Sequence, residues 1–83
     1  MELSEIINEI KKKKELRNIS DIVIEKIVKD ELNKRKYLYE KIKKAKNIKQ
    51  LKNDEDFYLF FKEVRKMLHE IYGLFLSLIH ISE

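Results

Sequence analysis

Cysteine and proline are absent from this 83-residue chain, and glycine occurs once, at Gly73. Without cysteine there is neither a disulfide framework nor a thiolate metal site, so a reducing, cytoplasmic setting is expected. Without proline, and with a single glycine, tight hairpins and strand connections lose the residues that normally make them. The same shortage excludes the glycine-rich turns that cradle phosphates, dinucleotides or S-adenosylmethionine. Long apolar runs are also missing. The longest, Leu74 to Ile81, is interrupted by Ser77 and His80 and falls far short of the roughly 18 residues that span a bilayer. The acidic opening, Glu2 and Glu5, does not fit a signal peptide.

What is present is charge and apolar bulk in similar measure, 41% and 43% of the residues. That is too apolar for a disordered tail and too charged for a membrane protein. Lysine, isoleucine and glutamate dominate and glutamine appears once, a composition seen in heat-adapted proteins. A chain this short supports one core and one domain.

The net charge of +4 conceals a strong asymmetry. Residues 1–10 carry three acids and no base. Residues 11–52 carry sixteen bases against six acids, a net of +10, and residues 53–83 carry three against six. A basic centre between acidic ends steers encounters with polyanions.

Apolar spacing predicts an all-α fold, a small bundle of three to four helices. Leu3, Ile6, Ile7 and Ile10 share one helical face, which predicts a first helix over about 2–14, ending in the Lys11–Lys14 run. Asn18 or Ser20 can cap a second helix whose stripe of Val23 or Ile24, Ile27, Val28 and Leu32 continues in period through Leu38, Ile42 and Ala45. Residues 20–46 thus form one long helix or two shorter ones. Asn53-Asp54-Glu55-Asp56 is a capping cluster, and it precedes Phe57, Phe60, Phe61, Val64, Leu68, Ile71 and Tyr72 on one broad face. A helix over 54–73 or beyond follows, expected at the centre of the core, with Gly73 placed to act as a C-terminal cap.

Residues that could do chemistry are sparse. His69 and His80 do not form the His-Glu-x-x-His pattern of a helical zinc site. Asp54, Glu55 and Asp56 are explained by capping. No catalytic, metal or cofactor site is expected. The basic centre is the feature that goes beyond fold. Lys12, Lys13, Arg17, Arg35, Lys36, Lys43 and Lys44 are the candidate phosphate contacts, with Tyr37 and Tyr39 interleaved for stacking or packing. A solvated lysine-rich surface would use the same residues, but solubility is served by mixed signs rather than a segregated block.

The segment Lys13-Lys14-Glu15-Leu16-Arg17-Asn18-Ile19-Ser20-Asp21-Ile22-Val23-Ile24-Glu25-Lys26-Ile27-Val28, and the later Lys62-Glu63-Val64-Arg65-Lys66-Met67-Leu68-His69-Glu70-Ile71-Tyr72-Gly73, resemble the N-terminal helical domain of the aminoglycoside-resistance 16S ribosomal RNA methyltransferases. In that family a Lys-Lys-aromatic-x-x-Leu segment leads into a helix near an Asp and Val pair, and a later helix ends Leu-His-x-Ile-x-Gly. The resemblance implies a non-catalytic bundle that docks a separate methyltransferase domain on the small ribosomal subunit. This chain departs from the pattern in a longer lysine-rich stretch, Lys34 to Lys52, and in Leu74-Phe75 where the family has a small residue and an aromatic. The competing expectation is a protein-interaction module, a homodimer or a subunit of a larger complex, that uses the apolar segment Leu74–Ile81.

Overall fold

A computed structural model describes residues 1–81, with side chains described through Leu74. Four α-helices and two 3₁₀ turns make up the fold, with no strand among the described residues. Helix α1 is Leu3–Ile10, α2 is Asp21–Asn33, α3 is Lys36–Lys44 and α4 is Glu55–Ile81. The 3₁₀ turns, Lys14–Leu16 and Ile48–Leu51, lie in the connections α1–α2 and α3–α4. The small all-α bundle expected from the apolar period is the observed fold.

Helix α2 packs against α1, α3 and α4, while the first 3₁₀ turn packs on α4. The fully buried side chains come from every helix: Ile6 and Ile10, then Ile24, Val28 and Leu32, then Ile42, then Phe60, Val64 and Leu68. Phe60 is the largest of them, so α4 supplies the bulk of the core and α2 its hub.

The first helix stops at Ile10, four residues before the expected end. Lys13 adopts an extended backbone (φ −71°, ψ 125°) and starts the 3₁₀ turn that delivers Leu16 into the core with no exposed surface. Burying one leucine outweighs continuing a helix through four adjacent lysines that repel one another. Lys11 then forms an ion pair with Asp21, joining the end of α1 to the start of α2. Ser20 caps α2, its hydroxyl accepting from the Ile22 N–H at 3.3 Å.

Residues 20–46 are two helices. Arg35 breaks the path with φ −125° and ψ 65°. Its guanidinium turns back to donate to the Glu31 carbonyl at 3.1 Å and to the Glu31 carboxylate at 2.6 Å. A cation thereby takes an unsatisfied carbonyl at the C-terminal end of α2, where the helix dipole favours it. The break also folds Leu38 and Ile42 back onto the core; one straight helix would carry them roughly 20 to 27 Å beyond Ile24.

Glu31 is the one buried charged residue among those described, at 5% exposure. Hydrogen bonding to Arg35 holds its carboxyl below the ordinary range, against the opposing effect of burial, and Lys34 assists at 3.4 Å. The folded chain therefore holds this proton less tightly than the unfolded chain does. The stability it contributes is present at neutral pH and is lost as pH falls through the ordinary carboxylate range. Thermal melts between pH 7 and pH 3 are expected to show a steeper acid limb for the wild type than for Glu31→Gln, and parallel limbs would contradict this role.

Asp54 caps α4: its carboxylate accepts from the Phe57 N–H at 3.0 Å and from the Lys41 ammonium at 2.9 Å. Gly73 does not end the helix. No glycine has a positive φ, and α4 runs on to Ile81; the helix-forming residues on both sides of Gly73 absorb its cost of about 1 kcal/mol. Among the residues whose side chains are described, the last fully buried position is Leu68, whereas Ile71 and Leu74 are exposed, Leu74 at 67%. The end of α4 extends past the core, in keeping with overall dimensions of 48 × 22 × 20 Å. The expected apolar segment thus continues α4, with its side chains beyond Leu74 outside the described residues.

Candidate nucleic-acid interface

The seven cations expected to contact phosphate fall into two groups. Lys12, Lys13 and Arg17 belong to the α1–α2 connection, where Lys12 is ion-paired with Glu9 at 2.9 Å. Lys13 and Arg17 are exposed and in no ion pair among the described residues. Arg35, Lys36, Lys43 and Lys44 belong to α3 or its start. Arg35 is committed to Glu31, so its charge is internal to the fold. Lys43 reaches Glu40 at 3.6 Å and lies 4.5 Å from the centroid of the Tyr39 ring. Lys36 and Lys44 are exposed without an ion-pair partner among the described residues.

The start of α3 and the end of α1 meet different edges of α4. Arg35, Tyr37 and Leu38 of the α3 region line a cleft with Asp56 and Leu59, and Lys41 pairs with both Asp54 and Asp56. Glu9, at the end of α1, lines a different cleft with Ile48, Lys52, Phe57, Tyr58 and Phe61. Neighbouring helix positions point about 100° apart, so Tyr58 and Leu59 mark two separate edges. The +10 of the central segment is not all available to a partner, since Arg35 is committed to Glu31 and Lys41 to Asp54 and Asp56.

Helix α4 itself sorts its charges between these edges. Tyr58, Phe61, Lys62, Arg65, Lys66 and His69 line one shallow cleft of about 390 Å³ that no carboxylate enters. Tyr58 and Phe61 also line the cleft holding Lys52, so the two clefts join into one groove. Asp56, Leu59, Glu63 and Glu70 follow the helical period on the other edge. Reading along the chain, Lys62, Glu63, Arg65, Lys66 and Glu70 make up a single mixed polar face in a segment of net negative charge, which hides this sorting. The signal that separates them is the spacing of 58, 61, 62, 65 and 69 at i, i+3, i+4, i+7 and i+11.

Within the groove, Phe61 stacks on Phe57 with centroids 5.7 Å apart and an interplanar angle of 27°. The Arg65 guanidinium sits 5.6 Å from the Phe61 centroid, within cation–π range. Tyr58 is 60% exposed. Lys52, Lys62 and Lys66 are exposed, with no ion pair among the described residues. Past one end of the groove, Lys44, Lys46, Lys49 and Lys52 follow the chain from α3 through the second 3₁₀ turn to α4. The first 3₁₀ turn, between Lys13 and Arg17, also packs on α4.

No helix among the described residues is long and apolar enough to cross a membrane, and none of their acids and histidines cluster to hold a metal. The chain matches no protein-family model, no curated protein and no solved structure. Its class is that of a small helical bundle with a basic–aromatic groove.

Proposed function

We propose that this chain is a helical module that binds structured RNA, with the groove along α4 and the neighbouring connections as its contact surface. The observation that carries the reading is the sorting of α4. Lys62, Arg65, Lys66 and His69 line one cleft of α4 with Tyr58 and Phe61 and no carboxylate, Asp56, Glu63 and Glu70 fall on the other edge, and the adjoining cleft adds Lys52 beside Glu9, which Lys12 pairs. A solvated surface serving solubility would interleave the signs, whereas a polyanion needs a track on which cations outnumber acids. Lys13, Arg17, Lys44, Lys52, Lys62 and Lys66 are the leading phosphate contacts. The resemblance to the docking domain of the 16S rRNA methyltransferases favours ribosomal RNA as the target. In that case the chain supplies binding and a separate domain supplies the chemistry.

Fluorescence-anisotropy titrations of a labelled stem-loop RNA at about 50 and 200 mM salt test this. Six phosphate contacts correspond to a loss of roughly 10³-fold in affinity across that range. Absent or salt-independent binding would remove the reading.

A second reading is favoured by the course of α4 beyond Leu68, where Ile71 and Leu74 are exposed and the helix continues to Ile81. An apolar helix end beyond the core is suited to self-association. Truncation after Gly73 leaves in place every fully buried side chain among the described residues, so RNA binding is expected to survive it while any dimer seen by light scattering is lost.

A further inference from the structure

The groove contains more than phosphate contacts require. Lysines alone would hold a backbone, yet the centre of the groove is Tyr58, Phe61 and the Arg65 guanidinium, flanked by Lys62 and Lys66 on one side and Lys52 on the other. Tyr58 leaves 60% of its surface in water, so core packing does not explain an aromatic at this position. Phe61 is only partly buried and its ring is fixed in place by Phe57. The exposed Tyr58 ring, beside a planar guanidinium held over Phe61, offers apolar and π surface to a flat ligand. Lys62 and Lys66 lie one turn apart, ~6 Å along the axis, and can hold the phosphates that flank such a ligand.

Building on the RNA reading, we infer that this groove takes an unpaired nucleobase, stacked at Tyr58, Phe61 and Arg65, with its flanking phosphates on Lys52, Lys62 and Lys66. Paired bases in an A-form helix are stacked on one another and hidden from such a platform, whereas loops, bulges and single strands expose theirs. The module therefore selects RNA with unpaired bases over a continuous duplex. The stack is indifferent to base identity because every base has a π face, and Arg65 strengthens it through its own planar charge.

The experiment compares two labelled RNAs of equal charge, a hairpin with an unpaired loop and a blunt duplex, against the wild type, Tyr58→Ala and Tyr58→Phe. The wild type is expected to bind the hairpin at least about tenfold more tightly than the duplex. Tyr58→Ala is expected to weaken hairpin binding by about tenfold, leaving duplex affinity and the salt slope unchanged. Tyr58→Phe retains the platform and is expected to behave as wild type. Because Tyr58 is exposed, neither variant disturbs the core, and circular dichroism confirms the fold in each. Equal binding of hairpin and duplex, or a Tyr58→Ala loss shared by both, overturns base stacking and leaves the RNA reading standing. Failure of the wild type to bind either RNA overturns both.

Discussion

Phe60→Ala is expected to lower the thermal midpoint by more than about 10 °C. Phe60 is the largest side chain with no exposed surface, and it meets Phe57 at a centroid distance of 5.9 Å. Truncating a buried phenylalanine costs about 3 to 5 kcal/mol, part of it from the cavity left behind. Domains of this length have roughly 4 to 12 kcal/mol in total, and each kcal/mol moves the midpoint by about 4 to 8 °C. Because α2 packs on α4, the damage is global rather than confined to one helix. Circular dichroism melts measure it, with Tyr58→Ala as the comparison because it removes an aromatic from the same helix without opening a cavity. Similar midpoints for the two variants would mean that α4 does not face the core through Phe60.

The second large effect is on binding. A variant carrying Lys52→Gln, Lys62→Gln, Arg65→Gln and Lys66→Gln removes four cations from one groove. Each phosphate contact accounts for about 0.7 to 0.9 of the slope of log affinity against log salt. The slope is therefore expected to fall by roughly 3, with a loss of more than about 100-fold in affinity at low salt. Lys26→Gln with Lys29→Gln is the control. Those two lysines lie on α2, ion-paired with Asp30 and Glu25, and their loss is expected to change binding far less. Equal losses would indicate that net charge, rather than the groove, attracts the RNA.

Much of the fold was legible in the apolar period. Ile24, Val28 and Leu32 recur at intervals of four, Phe57, Phe60, Val64 and Leu68 at three and four, and each set is buried as its spacing predicts. The ends of elements were less legible because the chain has neither proline nor a capping glycine to mark them. Whether Lys11–Lys14 stays helical depends on Leu16 reaching the core, and the break at Arg35 depends on Leu38 and Ile42 returning to it. Both are tertiary outcomes that a local pattern does not contain. The α4 groove was present in the spacing of Tyr58, Phe61, Lys62, Arg65 and His69, but summing charge over residues 53–83 masked it. The central block misled in the opposite direction, since Arg35 and Lys41 within it are held by carboxylates of the fold. Arg35 shows why counting cations is insufficient: its partner Glu31 sits four residues away, in plain view, but only the fold shows that this carboxylate is buried and must be neutralised.

The central claim is the location of the RNA surface, and the most direct measurement is chemical-shift mapping of the isotope-labelled chain titrated with a stem-loop RNA. The expected shifts concentrate at Lys13 and Arg17, along Lys44 to Lys52, and at Tyr58, Phe61, Lys62, Arg65, Lys66 and His69. Leu59, Glu63 and Glu70 on the opposite edge, and the Ile22–Lys29 face of α2, are expected to remain unperturbed. Shifts centred on the acidic edge of α4 or on α2, or no shifts with RNA in excess, would contradict the assignment.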